Sequence, residues 1–190
     1  GLAPIAVASV LVALQPVPDL LVTSDGQHLA VAGERGQMVV LRARIGDYAL
    51  QTLSESAAFE GQATAMQDWP QAACSAEFCS FALSSGQRRY AVLVGRNRER
   101  VPERGLAAAC RRADIVIAGR WLPRSCRPRW LKVDRRLLAE TGGLALYLED
   151  QAVRTVAADH RGHPWWDRAV EQREQAMEAK RAARLSTPPR

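Results

Sequence analysis

The chain holds few histidines and almost no lysine, and neither Lys nor Arg occurs before Arg35. His28, His160 and His163 are too scattered for a two-metal centre, which needs imidazoles and carboxylates on converging loops. No G-x-S-x-G elbow surrounds Ser54, Ser75 or Ser125, so nucleophilic serine chemistry has no motif. Gly142-Gly143 stands between a helix and a following strand, the reverse of a phosphate-binding glycine loop. The cysteines lack the C-x-x-C spacing and histidine partners that zinc takes. No catalytic residue, metal ligand or cofactor is therefore assigned, and no internal repeat is found. A charged fraction of 24% beside 47% hydrophobic residues excludes wholesale disorder. A length of 190 residues allows one sizeable core and an appendage.

Residues 1–14 (GLAPIAVASVLVAL) are apolar and uncharged. They are shorter than the roughly twenty residues of a complete span and lack the positive start of a signal peptide. The economical reading of 1–15 is the end of a transmembrane helix, with a buried core helix as the alternative. Cations accumulate on the cytoplasmic side of such helices, so the cation-free flank places the next domain outside the cytoplasm. The four cysteines agree, since an even count in an exported domain reads first as two disulfides. Cys74–Cys79 and Cys110–Cys126 are the expected pairs, with buried free thiols the alternative in a reducing compartment.

What the chain does have is one concentrated basic run, Arg120-Trp-Leu-Pro-Arg-Ser-Cys-Arg-Pro-Arg-Trp-Leu-Lys-Val-Asp-Arg-Arg136. Its seven cations face a single acid, Asp134, giving +6, the same as the formal net charge of the whole chain. Charge concentrated in this way is the footprint of a polyanion site. Pro123 and Pro128 oppose helix and favour an ordered loop. Trp121 and Trp130 offer faces on which unpaired bases stack. The candidate DNA-binding set is Arg120, Trp121, Arg124, Arg127, Arg129, Lys132, Arg135 and Arg136. The competing structural reading makes both tryptophans core anchors and leaves the arginines solvated or paired with acids.

Strand patterns fall at 19–23, 28–32, 37–42, 78–83, 89–94, 113–118, 144–148 and 153–157, and helical ones at 46–53, 103–112 and 130–140. Residues 60–76 show little regular pattern. The interleaving predicts an α/β or α+β core with mixed sheets. Beyond Trp165 a Glu-, Ala-, Arg- and Gln-rich stretch predicts a solvated helix or frayed tail. Asp159, His160, His163 and Asp167 are spaced so that they could hold one metal ion. The preferred reading is a terminal turn whose Pro164-Trp-Trp166 packs back on the core.

The strings ADIVIA (113–118), RWLPRSCRPRWLKVDRR (120–136), TGGLALYL (141–148) and HPWW (163–166) resemble the carboxy-terminal part of ComEC-type competence proteins. PDLLVTSDGQHLAV (18–31) and ACSAEFCSF (73–81) extend the resemblance over most of residues 18–166. These are family-like strings rather than catalytic signatures. The resemblance implies a metallo-β-lactamase-like sandwich of two mixed sheets with flanking helices, spanning 16–166, before a polar helical tail at 167–190. It also implies a polytopic inner-membrane channel that passes transforming DNA as a single strand, with this domain on the periplasmic side. Expected partners are non-specific single-stranded DNA, the membrane with its upstream channel, and other DNA-uptake components. Family members regarded as nucleases carry an H-x-H-x-D-H loop, which this chain lacks, so the domain is expected to be degenerate and non-catalytic. A divergent metal-dependent nuclease and a structural docking module are the alternatives.

Overall fold

The computed structural model describes residues 16–33, 36–42 and 46–186 and the isolated positions 4 and 7; in its last helix the side chains of 173, 177 and 180–186 are not among those described. The expected membrane segment at 1–15 lies, apart from those two positions, outside the described residues. Among the described residues no helix is both long and apolar enough to cross a membrane.

Two mixed sheets face each other. The first has six strands in the order β11-β10-β1-β2-β3-β4, built from β1 (Leu20–Val22), β2 (Leu29–Ala32), β3 (Met38–Val40), β4 (Thr64–Ala65), β10 (Leu144–Tyr147) and β11 (Ala152–Thr155). The second has five, β5-β6-β7-β8-β9, from β5 (Ala73–Cys74), β6 (Phe78–Ser85), β7 (Arg88–Gly95), β8 (Ile115–Ile117) and β9 (Leu131–Val133). Strand side chains alternate between faces, so Leu20, Val22, Val31 and Val39 meet Phe81, Val92, Ile115, Ile117 and Val133 in one central core. The opposite faces of the same strands bury smaller clusters. Ala30, Met38 and Val40 pack with Leu53 of helix α1 (Asp47–Ser56). Leu93 and Val116 pack with Leu106 and Cys110 of helix α2 (Glu103–Arg112). The result is a helix, sheet, sheet, helix layering, in accord with the mixed-sheet α/β class expected from the sequence.

Several joints are closed by buried polar contacts, as low-dielectric interiors require. The Tyr90 hydroxyl donates to the Leu148 carbonyl at 3.0 Å, and Leu148 N–H donates to Asp19 at 2.7 Å, tying β7 and β1 to the end of β10. Both expected disulfides are formed, Cys74–Cys79 across the β5–β6 pair and Cys110–Cys126 from α2 to the loop after β8.

The helix expected from Trp130 to Glu140 is corrected. Leu131–Val133 is strand β9, parallel to β8, and the helix α3 starts only at Arg135 and ends at Thr141. Val133 is fully buried beside Ile117, and Asp134 stops the strand by capping the helix, accepting from Arg136 and Leu137 N–H at 3.0 and 3.2 Å. After β11 come a short helix α4 (Val156–His160) and a 23-residue helix α5 (Pro164–Ser186). The expected boundary between domain and tail at 166/167 therefore lies inside one helix. Its Trp166 is buried against Gly142, where a Cβ would meet the indole at 3.1 Å, whereas Trp165 stays half-exposed.

Candidate nucleic-acid interface

Strands β7, β8 and β9 run parallel, so their carboxyl ends lie along one edge of the sandwich. Ligands of open α/β sheets gather at that edge because the chain turns away there and leaves a crevice. Three segments leave it here: 96–101 after β7, 118–122 after β8 and 134–136 after β9. They are laced together by backbone and side-chain contacts. Arg135 N–H donates to the Arg120 carbonyl at 3.1 Å, and Arg120 Nη1 donates to the Glu99 carbonyl. Asp134, though 95% buried by its 5% exposure, uses its second oxygen to accept from Leu122 N–H at 3.4 Å.

Glycine makes this approach close. Gly26, at φ +65°, sits in the β1–β2 turn, and a Cβ there would lie 2.7 Å from Gly119 Cα. A Cβ on Gly119 would lie 2.9 Å from the Asp25 carbonyl. The turn and the start of the basic loop thus touch backbone to backbone, which only glycine permits. Within that turn Asp25 accepts from the Thr23 hydroxyl at 2.5 Å and from Gln27 N–H at 2.9 Å. Burial acts to raise its carboxyl pKa, but the bonds from Thr23 and Gln27 and the nearby His28 charge together hold it below the ordinary value of 3.8.

The seventeen-residue run does not form one patch. Arg120, Trp121 and Arg135 lie at the strand ends. Arg124 and Arg127 are exposed on the return segment that Cys126 ties to α2. Arg129 reaches the opposite end of the sheet, where Asp114 takes its Nη1 at 3.1 Å and also accepts from Ala91 N–H at 2.7 Å. Lys132 lies within β9 on the face shared with Val116, and Arg136 pairs with Glu140 at 3.4 Å. Trp130 is half-buried and packs on Tyr90 with ring centroids 5.5 Å apart. It is a core anchor, as the structural reading held, whereas Trp121 is 63% exposed.

In exchange the topology adds Arg98 and Arg100, exposed in the segment after β7. Sequence reasoning missed them because Glu99 and Glu103 dilute the charge of 96–104; the alternating Arg96, Arg98 and Arg100 were the available signal. Arg96 itself is a structural residue, donating to the Ser75 carbonyl at 2.6 Å and to Gln67 at 3.0 Å. Among the described residues no carboxylate lies within ion-pair distance of Arg98, Arg100, Arg120 or Arg135. Arg120 lies over the Phe78 ring at 5.3 Å, its Nε is buried without an acceptor, and burial pulls its guanidinium below its ordinary pKa.

His28 borders the β1–β2 turn, while His160 and His163 pack at a tilt around Trp165, 5.0 and 5.9 Å between centroids. Among the described residues no three His, Cys, Asp or Glu side chains converge as metal ligands. In comparison with known proteins, no family model matches the chain, and no curated protein or solved structure gives a significant match.

Proposed function

We propose that this chain is an exported domain of a ComEC-type DNA-uptake channel that guides single-stranded DNA across its Arg-rich strand ends without cutting it. One observation carries this reading: Arg98, Arg100, Arg120 and Arg135 gather at the carboxyl ends of β7, β8 and β9, unpaired with carboxylates among the described residues, beside an exposed Trp121. Gathering like charges costs energy, and a phosphate backbone supplies the matching counter-charge. An exposed indole next to it stacks on unpaired bases without reading their sequence. The helix, sheet, sheet, helix layering supports a metallo-β-lactamase-like sandwich, and the two disulfides support an oxidising compartment such as the periplasm. In this proposal residues 1–15 lead from the inner membrane, and the remaining partners are the upstream channel and other uptake components.

The two-metal centre of nuclease members does not fit the side chains present, since among the described residues no three metal donors converge and the sequence carries no H-x-H-x-D-H loop.

The test is anisotropy of a labelled single strand with the 190-residue chain across a salt series, with and without manganese, reading binding and strand integrity together. Four phosphates neutralised at ~0.7 each give a log–log slope of about −3, or roughly fiftyfold weaker binding between 50 and 200 mM salt. Salt-sensitive binding of intact DNA supports the guide. Manganese-dependent cleavage would make the domain a nuclease, and absence of binding would leave a docking module.

A further inference from the structure

A cleft of about 370 Å³ opens beside the strand ends, lined by Arg100, Val101, Leu106, Arg120, Trp121 and Pro123 among others. Its volume falls near the low end of the ~300–1,000 Å³ typical of small-molecule sites, room for one nucleotide unit but not for a stacked duplex. The walls are of two kinds. Val101, Leu106, Leu122 and Pro123 are apolar, and the Trp121 ring, 63% exposed, makes no ring contact with another aromatic among the described residues. Arg100 and Arg120 bring two positive charges to the same space. Arg120 carries five N–H donors, of which one meets an acceptor, the Glu99 carbonyl, among the described residues. Glu103, the acid of this wall, is engaged by the Ser125 hydroxyl at 2.5 Å.

We infer that this cleft captures a single unstacked nucleotide of the guided strand, its base against Trp121 and the apolar wall and its phosphate on Arg100 and Arg120. The inference rests on the DNA-guiding reading and adds a base-dependent subsite to it. A base inside a duplex is stacked on both faces and cannot enter, so the cleft confers preference for single strands on a surface whose charge alone would accept either form. Every base has a π-face, so the capture is tolerant of sequence.

The test compares two labelled strands of about twelve nucleotides, within the usual span of a single-strand site. One is oligodeoxyadenylate; the other has the same phosphates on abasic units. The intact chain is expected to bind the base-bearing strand between about 5-fold and about 150-fold more tightly, the range of one base–aromatic stack. Trp121→Ala should bring the two strands level while leaving the salt slope unchanged, and Trp121→Phe should keep most of the preference. Because Trp121 is exposed, its replacement leaves the core intact. Equal, salt-dependent binding of both strands by the unaltered chain would overturn the subsite and leave the guide standing. Binding of neither strand would overturn both.

Discussion

Removing the Cys110–Cys126 bridge tests how the interface is held. The bridge closes a chain segment of sequence separation 16 that runs from α2 through β8 into the Arg-rich loop. In the loop-closure description, a ring of that size removes about 10 cal/mol/K from the unfolded chain, or about 3 kcal/mol at 25 °C. The same relation gives about 2 kcal/mol for Cys74–Cys79, whose separation is 5. Both sulfurs of the longer bridge sit in the cluster formed with Leu106, Val116 and Leu122, so alanine substitution would add a packing loss. Urea melts of oxidised and fully reduced protein avoid that, because they leave the side-chain volumes in place. Full reduction should remove about 5 kcal/mol, with Cys110→Ala/Cys126→Ala costing more than Cys74→Ala/Cys79→Ala. For a domain of this size each kcal/mol lowers Tm by about 2–4 °C. Single-strand affinity should fall with the Cys110–Cys126 pair alone, since Arg120 and Trp121 lie within the segment that this bridge closes and the adjoining Leu122 packs in the cluster around Cys126. Equal stability of oxidised and reduced protein, or a greater loss from the shorter bridge, would refute this account.

Asp134 joins the loop to the first turn of α3. Asp134→Ala should cost about 2 kcal/mol, one cap plus one tether, whereas Asp134→Asn keeps the cap through its one carbonyl oxygen but turns an amide N–H toward Leu122 N–H, so in a urea melt it should lie between the parent and the alanine variant. Equal damage from both would show that charge rather than hydrogen bonding is at stake. Asp25 predicts an acid dependence. Its folded pKa is depressed, so its contribution is present in full above the ordinary value of 3.8 and is lost as pH falls through the folded value. The Tm gap between the parent and Asp25→Ala should therefore hold down to about pH 4 and narrow below it; a gap that widens in acid would contradict the sign.

Elements whose signal is local were legible. Helix α2 shows its apolar face through Leu106, Ala107 and Cys110, and the β6–β7 hairpin shows itself through alternation about Ser84-Ser-Gly86. Strand β9 was misread because Leu131, Val133, Leu137 and Leu138 fit a helical stripe as well as a strand followed by a helix. What decides it is a parallel partner, β8, that lies beyond the Arg-rich loop. The two-residue strands β4 and β5 left no pattern in 60–76, since two residues make no period and their pairing depends wholly on β3 and β6. The site was half-visible for the same reason. Charge density in sequence marked 120–136, but the fold sends Arg129 to the far end of the sheet and brings Arg98 and Arg100 in from another segment.

The most direct measurement compares the salt dependence of single-strand binding by two variants that remove arginines from different places. Arg98→Gln/Arg100→Gln/Arg135→Gln removes three of the four strand-end arginines, whereas Arg124→Gln/Arg127→Gln clears the return segment beside α2. The first should weaken binding about a hundredfold near 0.1 M salt and flatten the slope by about 2, from ~0.7 for each phosphate released. The second should leave the slope near its original value. A flattened slope in the return-segment variant together with an unchanged one in the strand-end variant would contradict the central claim.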